Sequence, residues 1–334
     1  MSPTDSSSTP FTGPIFLVGM PRSGTKLLRN LLNQHSQIQI PKIETEFYPM
    51  WAAQWNDYGD LSDWETFHTF YQAFLNLPYA RYCADEGHIV DARSWFEACN
   101  AFTPAAVFEA LIRLDADAPA DNKVIWGDKS PSYIRHMSQL KADFPTARFI
   151  HLIRDVRDYA LSIRSAWNKN MLRAAQRWAD DITAARIDGA SLDHAYFEIR
   201  YEDLLEDPST SMERISAFLN VAPEEAMMTP PSGTENLGDA RSAKGILKSN
   251  TGKYLTRMTA SERRRIESVS AHVLRALDYP CEYEGPPKRL SRARLLGLQM
   301  LDGLNLVRFR TADKGLSDAL SFYTKYFRSS GNRY

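Results

Sequence analysis

The segment from Pro14 to Leu28 reads PIFLVGMPRSGTKLL and decides the fold. Pro14–Gly19 is a short apolar run that ends at a glycine, which predicts a buried parallel strand. Gly24–Gln34 then carries leucines at helical spacing, at positions 27, 28, 31 and 32. The chain therefore begins with a strand, a glycine-containing loop and a helix.

The loop Gly19–Lys26 between this strand and helix has the chemistry of an anion site. The first N–H groups of a helix lack intrahelical partners and lie at the positive end of its dipole. Gly24 permits close approach of a ligand, and Arg22 adds a cation. Ser23 and Thr25 add hydroxyl donors. We therefore predict that this loop binds phosphate.

The loop differs from the Walker A sequence GxxxxGK[ST] of nucleoside triphosphate enzymes. Gly19 and Gly24 have the Walker spacing, but Thr25-Lys26 reverses the order of the next two residues. Thr25 thus occupies the place of the catalytic lysine. This order argues against a standard triphosphatase or kinase, whereas phosphate binding remains possible with the charge moved to Arg22.

Further strands and helices alternate along the chain. Apolar runs predict strands at Ile38–Ile40, Val124–Gly127, Arg148–Arg154 and Ala195–Tyr201. Helical patterns cover Asp158–Trp167, Met171–Ile187, Ser209–Leu219 and Ala260–Leu277. This alternation is typical of an α/β fold with a mainly parallel sheet flanked by helices. We predict a P-loop-type α/β domain over residues 14–285.

Residues 46–119 interrupt the alternation and are rich in aromatic residues. Four tryptophans fall here, at positions 51, 55, 64 and 95, and Thr66–Leu77 has a helical pattern. We predict a mostly helical insertion. Its aromatic side chains either pack between helices or line a binding pocket.

The two ends of the chain differ in composition from the middle. Residues 1–13 are rich in Ser, Thr and Pro, which predicts a disordered lead-in. From Lys288 to Tyr334, ten Lys or Arg stand against three Asp, a formal charge of +7. Leucines at 295, 296, 298, 301 and 304 predict that residues 286–334 form a basic amphipathic helical tail. Such a helix lies on a membrane surface or partner, or docks on its own domain with a solvated basic face.

Composition excludes several classes of function. A formal net charge of −1 gives no support for nucleic-acid binding. The three cysteines, Cys83, Cys99 and Cys281, are far apart, which predicts neither a disulfide framework nor a zinc site. There is no HExxH motif, so we predict no metal. The sequence also lacks an apolar run of about 18 residues and a signal peptide, and we expect a cytoplasmic protein.

Two of these segments resemble donor-binding segments of the sulfotransferases that use 3′-phosphoadenosine 5′-phosphosulfate (PAPS). PRSGTKLL at 21–28 resembles their 5′-phosphosulfate-binding loop, except that Lys26 stands where Thr or Ser is usual. The resemblance implies donor contacts from Arg22, Ser23, Gly24, Thr25 and Lys26, the last as an extra cation. RDVRDYALS at 154–162 resembles the 3′-phosphate-binding segment, in which an Arg ends a strand and a Ser lies eight positions on. Arg154 and Ser162 are then the phosphate ligands that distinguish PAPS from ATP.

Two later segments continue the resemblance in the same order. Arg200–Pro208 resembles the family's RYEDL segment, in which Tyr201 contacts the nucleotide; the alternative is a tyrosine that caps the sheet edge. Lys244–Tyr254 resembles the glycine- and lysine-containing loop that closes over the 3′-phosphate, with Tyr254 in place of the usual Trp. Lys253 is the first candidate contact and Lys248 the second, unless this is only a solvated basic loop.

The resemblance also implies catalytic residues. Ile43–Pro49 is similar to the segment with the catalytic Glu in tyrosylprotein sulfotransferases and related bacterial enzymes, which indicates Glu44, with Glu46 as the alternative. Trp126–Pro131 resembles the family's EKTP or DKxP segment, in which Lys129 stabilises charge on the transferred group or pairs with Asp128. Arg22 belongs to the same catalytic set. The small-molecule branch uses a His instead, but His68, His88 and His136 lie in no matching motif.

The resemblance to the bacterial and Golgi-type branches implies an enzyme that transfers a sulfuryl group from PAPS to a hydroxyl of a carbohydrate, lipid, or phenol or tyrosine. The implied mechanism is in-line displacement with a Glu general base, and the helical insertion lies on the acceptor side. We expect a bacterial cytoplasmic protein, with peripheral membrane contact through the basic tail. An ATP-dependent P-loop kinase and a non-catalytic nucleotide-binding protein remain the alternatives.

Overall fold

The structure is a computed structural model that describes residues 11–118, 124–231 and 245–314, with side chains up to residue 305. Residues 1–10 of the predicted lead-in and residues 315–334 of the predicted tail lie outside the described residues. The chain forms two compact units. Among the described residues, the first holds 11–118, 124–153, 184–231 and 245–246, and the second holds 154–183 and 247–314. A single domain over residues 14–285 stays a prediction.

A five-stranded parallel sheet lies in the first unit. Its strands are β1 (Ile15–Gly19), β2 (Ile38–Gln39), β3 (Ile125–Lys129), β4 (Arg148–Ile153) and β5 (Tyr196–Arg200). They lie in the order β2-β3-β1-β4-β5, and every neighbouring pair is parallel. The predicted α/β fold with a mainly parallel sheet is confirmed. Because the chain turns to opposite sides of β1, the carboxyl end of β1 is a switch point, where such sheets bind ligands.

The described helices follow in chain order. They are α1 (Thr25–Leu32), α2 (Tyr48–Ala53), α3 (Trp64–Phe74), α4 (Pro78–Asp85), α5 (Ala92–Ala98), α6 (Pro104–Asp115), α7 (Met137–Asp143), α8 (Val156–Trp167), α9 (Met171–Ala190), α10 (Tyr201–Glu206), α11 (Pro208–Leu219), α12 (Tyr254–Arg257), α13 (Ala260–Ala276) and α14 (Arg292–Lys314). The predicted helices agree with these apart from their ends. Helix α3, for example, begins two residues before the predicted Thr66, because the Asp63 carboxylate accepts the Thr66 N–H at 2.9 Å and caps it.

Two strand ends differ from the prediction in a way that positions side chains. β3 runs past the predicted Gly127 to Lys129, because Lys129 still pairs with Leu17 of β1. β4 ends at Ile153, so Arg154 lies just outside the sheet and not within it. Lys129 is therefore the last residue of β3 and Arg154 directly follows β4, and these are the two strands that pair with β1.

Alternate residues of β1 pack into different layers of the core. Ile15 and Leu17 belong to an aliphatic cluster with leucines and isoleucines of α1, α10 and α11, including Leu28, Leu31, Leu204 and Ile215. Phe16, which has the opposite orientation, contacts the rings of Tyr133, Phe144 and Phe149. The strand is therefore buried on both faces, as its uninterrupted apolar sequence predicts.

The predicted insertion consists of helices α2 to α6 with an aromatic core. Trp95 is fully buried, and its Nε1–H donates to the Val107 carbonyl at 2.8 Å. Trp51 is also buried and stacks on Phe70 with ring centroids 5.3 Å apart. Packing between helices is therefore the role of Trp51 and Trp95.

None of the helices in the described ranges has the length and apolar character needed to span a bilayer. The cytoplasmic location stays a prediction.

Candidate active site

The loop after β1 ends at Gly24, a position that only a glycine fits. Arg22 and Gly24 both have left-handed φ angles, 72° and 97°. A Cβ atom on Gly24 would lie 2.4 Å from the Tyr201 ring. Tyr201 is buried at the start of α10 and therefore forms one wall of the loop. Tyr201 thus lies against the predicted donor loop, and its contact with the nucleotide stays a prediction.

The first turn of α1 offers donors to an anion. Gly24 is the N-cap and supplies no side-chain cap, and the first turn contains no acidic residue. Ser23 is 0% exposed, and its Oγ has no hydrogen-bond partner within the described parts of the chain. Thr25 is buried and Lys26 half-buried beside it. A phosphate at this position would satisfy a hydroxyl that the protein itself leaves unsatisfied.

Lys129 and Glu44 form an ion pair close to this loop. The register places Lys129 beside Leu17, two residues before Gly19. The Lys129 ammonium contacts Glu44 Oε1, and the side chains are 3% and 41% exposed. Burial lowers the pKa of Lys129, and Glu44 opposes that shift. The sequence offered two roles for Lys129, charge stabilisation or an ion pair with Asp128. In the structure its ion-pair partner is Glu44 and not Asp128.

A buried network holds the backbone that follows Glu44. The Thr45 hydroxyl donates to Asp128 Oδ2 at 2.7 Å and lies 2.6 Å from the Tyr133 hydroxyl. The Tyr133 hydroxyl in turn accepts the Tyr48 N–H at 3.0 Å. Asp128 is fully buried, and this desolvation raises its pKa to about 7. The network therefore fixes the segment that carries Glu44 against β3.

Arg29 of α1 and Asn33, the C-cap residue of that helix, hold the same segment from its other end. The buried Arg29 guanidinium donates to the carbonyl groups of Pro41, at 3.5 Å, and Lys42. Asn33 makes two hydrogen bonds to the Ile40 backbone, at 2.8 and 3.0 Å. Sequence reasoning missed both residues, because an Arg and an Asn on a helix have no local pattern that indicates such a role.

The predicted 3′-phosphate residues lie in the second unit, where Asn250 links two of them. Arg154 is buried and donates through Nη2 to the Asn250 carbonyl at 2.8 Å. The Lys253 ammonium donates to Asn250 Oδ1. Two cations predicted from segments almost 100 residues apart thus meet at one residue that the sequence did not indicate. Ser162 is half-buried on α8.

Buried acidic side chains hold the two segments that carry Arg154 and Lys253. Asp155 caps α8 by accepting the Arg157 N–H at 2.8 Å, and it also binds the Arg157 guanidinium. Asp158 Oδ1 accepts the Tyr254 N–H at 2.9 Å, which ties the residue after Lys253 to α8. Residues between 247 and 257, among them Lys253 and Arg257, line a pocket of about 380 Å³.

The candidate histidines have other surroundings. His68 and His136 are exposed, and His88 pairs with Asp115 at 2.9 Å. His35, at the end of α1, is buried with Nε2 2.9 Å from the Ala222 carbonyl. The structure therefore brings none of them to the Lys129–Glu44 pair.

The sulfotransferase family model matches residues 14–225, more than half of the 334 residues. The chain belongs to the sulfotransferase family. This match confirms the resemblance drawn from the sequence, identifies the chain as a sulfotransferase enzyme and replaces the kinase alternative. It covers the donor loop, Glu44, Lys129, Arg154 and Tyr201, but it ends before Lys253.

Solved structures agree with this sulfotransferase fold. The sulfotransferase domain of the Synechococcus PCC 7002 olefin synthase superposes with a TM-score of 0.56 at 22% identity, over 83% of this chain and 98% of that one. The sulfotransferase domain of the curacin biosynthetic pathway gives 0.52 at 21% identity, over 82% of this chain and 100% of that one. No curated protein sequence matches the chain.

Proposed function

We propose that this sulfotransferase transfers a sulfuryl group from PAPS to a hydroxyl group of its acceptor. The observation that carries the proposal is the position of the Lys129–Glu44 pair. The pair lies at the strand end beside β1, whose own end opens into the donor loop. A buried cation and a partly exposed carboxylate thus lie near a helix N-terminus that favours an anion.

The donor phosphates have two groups of candidate ligands. We assign the 5′-phosphosulfate to Arg22, Ser23, Gly24, Thr25 and Lys26, as the family resemblance implies. On the same basis, we assign the 3′-phosphate to Arg154, Ser162 and Lys253. Arginine suits this second role, because its guanidinium binds phosphate through two parallel hydrogen bonds.

The proposed reaction needs only these groups and the two substrates. The acceptor oxygen forms a bond to sulfur while the bond from sulfur to the 5′-phosphate oxygen breaks. The electron pair of that bond leaves with 3′,5′-phosphoadenosine, and Glu44 accepts the proton of the acceptor hydroxyl. Lys129 and Arg22 stabilise the negative charge that moves to the leaving oxygen. Glu46 remains the alternative base.

The acceptor proposal includes a membrane contact through α14, as the basic tail predicts. Leu296, Met300, Leu301 and Leu304 are 53–66% exposed. At about 100° per residue they fall in an arc of about 140°, with the exposed Arg292 and Arg294 at its two edges. The opposite face bears Asp302, which is buried and bound to Arg173 at 2.9 Å. An apolar face bordered by arginines suits an anionic lipid surface, where lipid acceptors are available.

Donor identity is tested by comparing two nucleotides that differ only in the 3′-phosphate. We expect 3′,5′-phosphoadenosine to bind more tightly than adenosine 5′-monophosphate, and Arg154→Ala to reduce the difference by at least about tenfold. Arg164→Ala is the matched control, because Arg164 lies on the helix that follows Arg154 but is paired with Glu262 at 3.0 Å. Equal affinities in the wild-type enzyme would contradict the assignment of PAPS.

The base is tested by turnover of PAPS with a panel of phenols, glycans and lipids. Glu44→Gln should lower kcat about 10²–10⁴-fold, the usual contribution of a general base, and leave the affinity for 3′,5′-phosphoadenosine unchanged. The exposed Glu65→Gln is the control carboxylate. A full rate in Glu44→Gln together with a loss in Glu46→Gln would move the role to Glu46.

A further inference from the structure

A cluster of three different metal-binding side chains lies in the helical insertion, and none of the three belongs to the residues assigned above. Cys83 is on α4, His88 follows the end of α4, and Asp115 is the last residue of α6. The thiol, an imidazole nitrogen and a carboxylate oxygen all lie within 4.8 Å of one another. We propose that these three side chains bind a zinc ion.

The C-terminal turn of α4 brings two of the proposed ligands together. The Gly87 N–H donates to the Ala84 carbonyl and the His88 N–H donates to the Cys83 carbonyl, both at 3.0 Å. Gly87 has φ 80°, so this helix ends in a left-handed glycine turn that folds His88 back over Cys83. The C-x4-H spacing at 83–88 is therefore a product of the cap and needs no further loop.

The third ligand is oriented by hydrogen bonds of its own. The Asp115 side chain is 1% exposed, and its Oδ1 lies 2.9 Å from His88 Nε2. The Tyr79 hydroxyl donates to the other oxygen, Oδ2, at 2.7 Å. Tyr79 thus leaves Oδ1 directed at the cluster, as the partners of metal-binding carboxylates commonly do.

The ligand set and its surroundings favour zinc over other ions. Tetrahedral zinc with bonds of about 2.0–2.3 Å places its ligands roughly 3.3–3.8 Å apart, so the cluster needs only small adjustments. A thiolate disfavours magnesium and calcium, which bind oxygen. His88 is 45% exposed, and that open side leaves room for water as a fourth ligand.

The test uses the full chain, reduced and stripped with a chelator, in competition with a chromogenic zinc indicator. We expect one equivalent of zinc to bind, and cobalt to give a thiolate charge-transfer band. Cys83→Ser should abolish the band and weaken zinc binding by more than about 100-fold, whereas Tyr79→Phe should cost about 10–100-fold. Cys99→Ser, in the same insertion, is the matched control and should bind as the wild-type does.

His88→Gln keeps the test decisive if the buried variants fail to fold, because the His88 side chain is partly exposed. It should weaken zinc binding while the melting temperature of the metal-free protein stays close to that of the wild-type. Absence of a cobalt–thiolate band in the wild-type protein, or unchanged zinc affinity in both Cys83→Ser and His88→Gln, would overturn the proposal. The His88–Asp115 contact would then be an ion pair only.

Discussion

The buried hydroxyl of Ser23 gives the most discriminating test of the donor loop. Ser23 is fully buried, and its Oγ lacks a hydrogen-bond partner within the described residues. Replacement with alanine removes that hydroxyl and changes little else, because the Ser23 backbone N–H bonds to the Met20 carbonyl at 3.1 Å. The variant should therefore affect the ligand-free and the nucleotide-bound protein in opposite directions.

The magnitudes follow from the cost of an unsatisfied group. A buried polar group without a partner costs about 1–3 kcal/mol, so Ser23→Ala should raise the free energy of unfolding of the ligand-free protein by about 1 kcal/mol. In the complex the same hydroxyl would donate to a charged phosphate, a bond that contributes about 1.5–3 kcal/mol. Its loss should weaken 3′,5′-phosphoadenosine binding roughly 10–150-fold, since 1.4 kcal/mol corresponds to tenfold.

Both quantities can be measured on one preparation, by denaturant unfolding without ligand and by titration calorimetry with 3′,5′-phosphoadenosine. Ser270→Ala is the matched control, because Ser270 is equally buried but its hydroxyl donates to the Ile266 carbonyl at 2.9 Å. The control should keep the wild-type nucleotide affinity. A destabilised ligand-free Ser23→Ala with unchanged nucleotide affinity would refute the phosphate-binding role of this hydroxyl.

Three further predictions concern the same enzyme. Gly24→Ala should lose about 1–3 kcal/mol of unfolding free energy and most of its nucleotide affinity, because Gly24 has φ 97° and the new Cβ would collide with the Tyr201 ring. Gly59→Ala is the control: Gly59 has φ 77° but is distant in sequence, and the variant should keep its nucleotide affinity in calorimetry. Because burial raises the Asp128 pKa from 3.8 to about 7, folding favours the protonated acid, and its contribution to stability is complete below pH 4 and is lost as pH rises toward 7. Asp128→Asn should therefore gain stability relative to wild-type between pH 4 and pH 7, by up to about 4 kcal/mol, in denaturant unfolding, while the exposed Asp57→Asn gives a curve parallel to that of the wild-type. Leu296→Glu/Leu304→Glu should reduce cosedimentation with anionic vesicles by more than about tenfold, with Ile187→Glu as the exposed control outside α14, and equal binding of all three proteins would contradict the membrane proposal.

Local signals explain what could be predicted from the sequence. The strand, glycine loop and helix at 14–34 are encoded by neighbouring residues, and Arg154 was found because residues 154–162 resemble a short family segment in which an Arg ends a strand. The loop geometry then followed from Gly24, whose left-handed backbone needs no distant partner to be recognised.

Contacts between distant segments explain what could not be predicted. Thr45 meets Asp128 across 83 positions because β2, β3 and the following turns bring them together, and neither residue has a sequence pattern for this. Asn250 joins Arg154 to Lys253 through its backbone carbonyl and its side-chain oxygen, and a single Asn in a loop has no sequence pattern that indicates such a role. The cluster of Cys83, His88 and Asp115 was missed for a related reason, since Asp115 reaches the other two residues only through the packing of the insertion.

The hold of α1 on the segment before Glu44 has a consequence for how such an enzyme can diversify. Arg29 and Asn33 bind residues 40–42 to the helix whose first turn is proposed to bind the donor. The spacing between donor loop and candidate base is thus set within about thirty consecutive residues, before the insertion begins. The insertion, which the family resemblance places on the acceptor side, can change in length and sequence without altering that spacing, so new specificities can arise there while the transfer chemistry is inherited intact.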